Sequence, residues 1–216
     1  MPYTQYHPVY LDLNGRSVLI VGGGPVALEK LESLKSSGAK ITLVSPEAIP
    51  EVAAWAGAGK ICWERRPFAD VDIDGVFMAI AATDDPELNG RVFRLGDAKQ
   101  KLTNSVDDPQ NCNFIMAAIA GRGPLQVAVS SAGCSPAMAQ RIRNRIADEL
   151  LTEEAGALTE LLGDWRPEVK RSLSTYKERQ RFWEHLLTSA IGETLLTQGR
   201  EAADETVRRE LEAFAG

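Results

Sequence analysis

The sequence predicts an α/β fold, with a parallel sheet followed by an antiparallel hairpin and a helical C-terminal region. Up to about residue 112, short apolar runs alternate with segments of helical period, which indicates a parallel sheet covered on both faces. Two further apolar runs are separated by only Gly121–Pro124, which is too short for a crossover helix, so these strands pair antiparallel. Beyond about residue 151 the pattern predicts only helices.

Each element has a local reason. The five strands of the parallel sheet are predicted at compact apolar runs over 17–21, 41–44, 60–63, 76–82 and 102–106. The first helix begins near Pro25 and ends at Gly38, because proline fits a first turn and glycine an end. The second helix is expected over 47–58. The third is expected over 86–100, with Asp85 as its N-cap.

The second half of the chain is predicted from turn signals and helical periodicity. The hairpin strands are expected over 113–120 and 125–130. A helix then starts at Ser135–Pro136 and continues to about residue 151. The rest predicts two or three amphipathic helices with a break near 163–167, where glycine and proline occur. We therefore divide the 216 residues into domains over 1–112, 113–150 and 151–216.

The composition excludes several classes of function. A net charge of −6 does not favour nucleic acid or an anionic membrane surface as a partner. The longest apolar runs, of about seven residues, are far shorter than a membrane span, and no signal peptide is visible. The two histidines, His7 and His185, lack metal-ligand spacing, so we expect no metal site. Three cysteines without a C-x-x-C pair predict a reducing compartment, the cytoplasm.

A glycine motif, G-x-G-x-x-A, stands directly after the first strand and before the first helix. Gly22 allows a tight turn, Gly24 lets the backbone approach a diphosphate, and Ala27 keeps the helix close to the sheet. The helix N-terminus offers free N–H groups to the anion. This context predicts a Rossmann-like dinucleotide site that includes Gly23, Pro25 and Val26, and the alternative is a structural turn rich in glycine.

The end of the second strand bears on the choice of cofactor. The usual fingerprint has an acidic residue there, which binds the adenine ribose. Here the segment reads Ser45, Pro46, Glu47, so the acid comes two residues late, and no arginine follows to hold a 2′-phosphate. We expect these three residues to contact the cofactor and we expect NAD rather than NADP.

The fourth strand ends in two alanines, which leave space for a cofactor beside Thr83 and Asp84. These two residues are predicted to contact it, with helix capping as the alternative. Beyond the fifth strand, Asn104 is predicted to bond the cofactor or a neighbouring loop. Asp107 lies at the edge where open α/β sheets bind ligands and suits a general base or an orienting group. The alternative for Asp107 is turn chemistry before Pro109.

Several segments together resemble precorrin-2 dehydrogenase, the N-terminal part of siroheme synthase. They are LIVGGG at 19–24 with VA at 26–27, AIAATDD at 79–85, NSVD at 104–107, NFIM at 113–116, VAVSS at 127–131 with SP at 135–136, and RFWE at 181–184. The resemblance runs over about the first 190 residues. The methyltransferase half of the fused siroheme synthase is expected to be absent from this chain.

The resemblance implies a reaction: precorrin-2 gives a hydride to NAD⁺ and protons to its surroundings, forming sirohydrochlorin. It implies that Asp107 and Ser131 are the catalytic residues and that the 113–150 region forms a homodimer. Some members of the family also insert the metal, which leaves open a sirohydrochlorin ferrochelatase activity with Fe²⁺ or Co²⁺ as substrate ion. Pro25 departs from the polar or charged residue of many relatives, so we expect altered cofactor contacts.

A different class of function also uses the glycine loop. A non-catalytic module that senses NAD/NADH would need this loop but would have no need of Asp107, the hairpin or the basic residues of the tail. A short-chain dehydrogenase is disfavoured because the chain lacks a Tyr-x-x-x-Lys pair. The sequence therefore favours an NAD-dependent dehydrogenase over the sensing module.

Overall fold

The computed structural model describes residues 4–215, so the outermost ends of the first and last predicted domains lie outside the described residues. The chain forms two compact units, one up to Met116 and one from Ala117. The further division that we predict at residue 150 stays a prediction.

The first unit contains the predicted parallel sheet. Its strands are β1 Ser17–Val21, β2 Lys40–Val44, β3 Cys62–Glu64, β4 Met78–Ala81 and β5 Leu102–Ser105. They pair in the order β3-β2-β1-β4-β5, all parallel. The strands thus run outward from β1 to β3 on one side of the sheet, and the chain then crosses back to place β4 on the other side of β1. The strand order therefore reverses between β1 and β4. In this class of sheet a ligand binds at such a point, outside the carboxyl ends of the strands.

Helices cover both faces of this sheet. They are α1 Pro25–Leu34, α2 Pro50–Gly57 and α3 Pro86–Ala98, together with 3₁₀ turns at Asp70–Ile73 and Pro109–Asn111. Successive side chains of β1 enter opposite buried clusters: Ile20 packs with Leu31 on one face, and Leu19 packs with Val92 on the other. This alternation is the period of a strand, and burial on both faces explains why β1 is apolar from Val18 to Val21.

The start of α2 differs from the prediction. The helix begins at Pro50 rather than at residue 47, because Ile49 has extended backbone angles, as residues before proline do. The turn before it is closed by a hydrogen bond from the Ser45 hydroxyl to the Glu47 carbonyl, 2.6 Å long. Another bond joins the Ile49 N–H to the Gly23 carbonyl at 2.9 Å. The segment is therefore a loop that packs on the glycine turn.

The second unit opens with the antiparallel hairpin. Its strands are β6 Ala118–Arg122 and β7 Leu125–Val129, and α4 Pro136–Glu149 packs against both. The predicted start of β6 at residue 113 is wrong. The Asn113 side chain accepts from the Thr103 N–H and donates to the Lys101 carbonyl, at 2.8 Å in each case. These bonds tie residue 113 to the start of β5, so the hairpin begins later.

The described tail contains four helices, not the two or three expected: α5 Glu153–Ser172, α6 Tyr176–Thr188, α7 Ile191–Gln198 and α8 Arg200–Ala215. The break expected near 163–167 is also wrong, because α5 continues through Pro167. An interior proline costs roughly 3 kcal/mol. Leu161 and Val169 on either side are both fully buried in the tail core, which holds the helix together, while Pro167 itself is exposed.

We expect Phe182→Ala to destabilise the second unit strongly. Phe182 is completely buried in the tail core, so its removal leaves a cavity that costs about 3–5 kcal/mol. Arg181→Ala, on the exposed side of the same helix, is the control and should change stability by less than about 0.5 kcal/mol. Urea unfolding followed by circular dichroism measures both, and equal losses would contradict the packing described.

We also expect Asp72 to make the first unit sensitive to acid. Arg66 donates two hydrogen bonds to the Asp72 carboxylate, at 2.7 and 2.8 Å, and the Ala69 N–H donates a third at 2.8 Å. These bonds hold the pKa of Asp72 below its ordinary value of 3.8. A depressed carboxyl pKa contributes stability that is present above the unfolded value and is lost as pH falls through the folded one.

The stability of the wild type relative to Asp72→Asn should accordingly be greatest above about pH 5 and should shrink below about pH 4. Urea unfolding across this range measures the difference. Asp74→Asn is the control, because Asp74 forms an exposed ion pair with Lys99. A difference between wild type and Asp72→Asn that stays constant with pH would show that the Arg66 contact does not carry the effect.

Candidate functional site

A cleft of about 340 Å³ opens at the carboxyl ends of β1, β2 and β4. It contains four of the predicted site residues: Gly22, Ser45, Pro46 and Thr83. The other predicted residues are not among its lining: Gly23, Gly24, Pro25, Val26, Glu47, Asp84, Asn104, Asp107 and Ser131. A second cleft, of about 600 Å³ beside Trp165 in the second unit, contains none of them.

The glycine turn is held by close backbone packing. Gly22 has φ of +115°, and a Cβ there would lie 2.3 Å from the Ala82 carbonyl oxygen. A Cβ on Gly23 would lie 2.3 Å from the Glu47 carbonyl oxygen. Both positions therefore exclude every larger side chain. The requirement at Gly23 comes from the loop after β2, which the fingerprint does not describe.

Gly24 has a different environment. A Cβ there would meet no atom of the described structure within 4 Å, so open space faces this residue. Gly24 is the N-cap of α1, no side chain caps this end among the described residues, and Pro25 occupies the first turn. The N–H groups at the start of α1 therefore lack intrahelical partners, and they suit an anion. These features fit the diphosphate of a dinucleotide.

The end of β2 is occupied by its own hydrogen bonds. The Ser45 hydroxyl is buried and donates to the Glu47 carbonyl, and the Ser45 carbonyl accepts from the Trp63 indole at 3.0 Å. Glu47 is exposed. Ser45 therefore helps to shape the wall of the cleft, while the ribose-binding carboxylate of the usual fingerprint is missing from the end of this strand.

Thr83 at the end of β4 is fixed by Asn89, a residue that the sequence analysis missed. The Thr83 hydroxyl donates to Asn89 Oδ1 at 2.7 Å, and Asn89 Nδ2 returns a bond to the Thr83 carbonyl at 2.8 Å. Asp85 accepts from the N–H groups of Glu87 and Leu88, which confirms it as the N-cap of α3. Asp84 is exposed and its carboxylate has no partner within the described residues.

Two arginines of α3, Arg91 and Arg94, also line the cleft and were not predicted. They follow Glu87 at intervals of four and seven residues, which is the spacing of one helix face. That spacing, counted from Glu87 in the first turn of α3, was the available signal. Arg91 pairs with Asp70 at 2.5 Å, while no ion pair is found for Arg94 in the described part of the chain.

The end of β5 places Asn104 and Asp107 differently. Asn104 is buried and donates to the Phe114 carbonyl at 3.0 Å and to Cys112 Sγ at 3.3 Å, so its amide hydrogens hold a neighbouring loop. Asp107 is exposed, has φ of +60°, and its side chain finds no partner among residues 4–215. The alternative for Asp107 was a turn in which its side chain bonds to nearby backbone. The described structure contains no such bond.

Ser131 lies in the second unit, in the loop before α4. Its Oγ accepts from the Ser135 N–H at 2.9 Å, and its carbonyl accepts from the Cys134 N–H at 3.0 Å. Ala132 and Gly133 have positive φ. Ser135 caps α4 by accepting from the Met138 N–H, as predicted. The Ser131 hydroxyl keeps its own hydrogen for another partner.

Within residues 4–215, no three His, Cys, Asp or Glu side chains are grouped as a metal ion would require. No helix in this range is long and apolar enough to cross a membrane. The three cysteines are free.

Three family models match successive parts of the chain. The model described as "Putative NAD(P)-binding" matches residues 9–118, just over half of the chain. The "Sirohaem biosynthesis protein central" model matches 122–149, and the "Sirohaem synthase dimerisation region" model matches 154–211. The name of the dimerisation model therefore falls on α5 to α8, whereas the sequence prediction placed dimerisation at 113–150.

Similar proteins cover nearly all of this chain. Siroheme synthase of Actinobacillus succinogenes is 42% identical over 207 residues, which are 96% of this chain and 43% of that protein. Siroheme synthase 1 of Serratia proteamaculans is 40% identical over 211 residues, 97% of this chain and 44% of that protein. The chain thus spans less than half the length of these relatives.

A solved structure, "SirC, precorrin-2 dehydrogenase", has the same fold. It superposes with a TM-score of 0.75 at 25% identity and covers 96% of this chain and 100% of that one. The predicted order of a Rossmann-like sheet, an antiparallel hairpin and a helical tail is confirmed. With the glycine turn, the strand-end cleft and the three family matches, these findings show that the chain belongs to the NAD(P)-binding family in the form found in siroheme synthases.

Proposed function

We propose that this chain is an NAD-dependent dehydrogenase that converts precorrin-2 to sirohydrochlorin in siroheme biosynthesis. The observation that carries the proposal is the match to a precorrin-2 dehydrogenase along the entire length of that protein. The match includes the hairpin and the helical tail, which a sensing module has no reason to keep. We therefore favour the enzyme over the sensor.

The residues of the first unit suit the cofactor. The diphosphate would lie at Gly24 and the start of α1, where open space meets free N–H groups. Ser45, Pro46 and Thr83 would form the walls around the nucleoside. The chemistry that bound NAD⁺ supplies is acceptance of a hydride. Removal of one hydride and one proton from precorrin-2 is the two-electron oxidation that gives sirohydrochlorin.

We assign Asp107 the role of accepting that proton or of orienting the ring that loses it. Its carboxylate is exposed just beyond β5 and is engaged by no other side chain of the described structure. The Val106 N–H donates to the Ala81 carbonyl at 3.0 Å, which keeps this turn beside the end of β4. A general base must be within hydrogen-bond reach of its proton, and a free carboxylate at the ligand edge can meet that need.

Ser131 is proposed as a second residue of the active site. Its Oγ is positioned by the Ser135 N–H, and its hydrogen is free to donate to a substrate carboxylate. Arg141 on α4 is exposed and could attract the same acidic groups. We further propose a homodimer, formed by the 113–150 region together with the tail matched by the dimerisation model, and a cytoplasmic location.

Chelation of Fe²⁺ or Co²⁺ by sirohydrochlorin is a second activity that we propose to test rather than assign. The described residues contain no preformed group of side chains that could hold a metal ion. A chelatase would thus use separate carboxylates, such as Asp107, to remove protons from the macrocycle while the ring nitrogens bind the ion.

The direct test is anaerobic incubation of the protein with freshly made precorrin-2 and NAD⁺. We expect one molecule of NADH to form for each molecule of sirohydrochlorin, with both products followed by their absorbance. Addition of Fe²⁺ or Co²⁺ after the dehydrogenation tests chelation. Binding of NAD⁺ without any turnover would favour the sensing module instead.

We expect Gly24→Ala to weaken cofactor binding without disrupting the fold. The added methyl group meets no protein atom within 4 Å but enters the space assigned to the diphosphate. Titration calorimetry should show NAD⁺ binding roughly tenfold weaker, or about 1.4 kcal/mol. Gly57→Ala in α2 is the matched control, because its added methyl also meets no atom within 4 Å. Unchanged affinity in Gly24→Ala would place the diphosphate elsewhere.

We expect Asp107→Asn to lower turnover by roughly 10²-fold or more, the usual contribution of a general base. Asparagine adopts positive φ as readily as aspartate, so the turn should persist. The affinity for NAD⁺ should stay within roughly twofold, since only the reacting step loses a group. Asp74→Asn is the control, because Asp74 precedes β4 by four residues and pairs with Lys99 on the surface. Full turnover in Asp107→Asn would remove Asp107 from the mechanism.

A further inference from the structure

The Cys112 thiol lies beneath the turn that carries Asp107. Its Sγ is 3.1 Å from the Ser105 carbonyl oxygen and 3.2 Å from that of Asp108. It also accepts from Asn104 Nδ2 at 3.3 Å. The side chain is half-buried, and these three groups are its hydrogen-bond partners in the described structure. The carbonyls on the two sides of Asp107 therefore converge on one sulfur atom.

The turn between these carbonyls is in an uncommon conformation. Asp107 has φ of +60°, the left-handed region that non-glycine residues seldom occupy. The Asp108 N–H closes the turn on the Ser105 carbonyl at 3.2 Å. Residues in such regions are maintained by the structure around them. Here the surrounding structure consists of the strand end, the short 3₁₀ turn that follows, and the thiol.

The thiol is not needed merely to satisfy these carbonyls. Ser105 O accepts from the Asp108 N–H, and Asp108 O accepts from the Asn111 N–H at 3.0 Å. Loss of the sulfur would leave both oxygens bonded. What the thiol adds is one atom that contacts both sides of the turn. Burial raises the pKa of the Cys112 thiol, so it keeps the hydrogen that it donates.

We propose that Cys112 is a positioning residue for the dehydrogenation: its thiol shares its one hydrogen between the two carbonyls that flank Asp107, and this clamp helps to hold Asp107 in its left-handed conformation. The inference rests on the proposed function, because it acts through the role assigned to Asp107. This role requires no contact of Cys112 with substrate or cofactor. Its effect is to keep the carboxylate in place at the moment of proton removal.

The clamp makes a distinctive kinetic prediction. Cys112→Ala should lower kcat roughly tenfold, because small misplacements of a reacting group are costly. The KM for NAD⁺ should stay within roughly twofold, since the glycine turn is untouched. Cys112→Ser keeps a hydrogen donor of similar size and should recover most of the loss. Cys62→Ala, which removes an exposed thiol on β3, is the matched control.

The experiment measures kcat and KM for these variants and for the double variant Asp107→Asn/Cys112→Ala. If the thiol acts through Asp107, Cys112→Ala should change the turnover of Asp107→Asn by less than roughly twofold. If Cys112→Ala lowered the kcat of Asp107→Asn by the same factor as it lowers that of the wild type, the inference would be overturned. Wild-type kcat in the single variant Cys112→Ala would also overturn it. Wild-type turnover in Asp107→Asn would instead refute the role assigned to Asp107.

A second measurement does not depend on turnover. Hydrogen exchange of the Asp108 amide, followed by NMR, should be faster in Cys112→Ala than in the wild type and near normal in Cys112→Ser. Unchanged exchange would overturn the clamp, even if the chain does not oxidise precorrin-2. Faster exchange in Cys112→Ala, together with no dehydrogenation by the wild type, would support the clamp and refute the proposed function.

Discussion

The approach of the Gly22 backbone to the Ala82 carbonyl is the constraint on which the rest of the first unit depends. A side chain at residue 22 would overlap that carbonyl, since its Cβ would lie 2.3 Å from the oxygen. The same contact is supported by the Ala82 N–H, which donates to the Val21 carbonyl at 2.8 Å. Because β1 ends this close to β4, α1 can begin at once, with its free N–H groups at the carboxyl edge of the sheet.

The polar side chains at that edge fall into two groups. The side chains of Ser45, Thr83 and Asn104 donate hydrogen bonds to other protein groups and thereby hold the loops in place. The exposed carboxylates of Asp84 and Asp107 remain uncommitted within the described residues. Under the proposed function, backbone groups would recognise the dinucleotide and these carboxylates would be available for the reaction. The loops at the ends of β2, β4 and β5 are thus held by side-chain hydrogen bonds, while the two carboxylates stay accessible.

Local signals predicted much of this arrangement. The glycine turn, the five strands and the Asp85 cap depend on residues near one another in sequence, and each appears where expected. The errors arose where distant contacts overrode local preference. Pro167 does not end α5, because burial on both sides of it outweighs one missing hydrogen bond. Asn113 joins the edge of β5 instead of the hairpin, because its side chain bonds to that strand.

The sequence by itself determined the fold class and the position of the glycine turn, because strand period, glycine spacing and capping residues act over a few positions. It indicated the family only through the resemblance of several segments. Only the tertiary structure decided that Asn89 fixes Thr83, that Gly23 must lack a side chain, and that the Cys112 thiol spans the turn of Asp107. These are contacts between segments that meet only after folding, and no pattern along the chain encodes their distances.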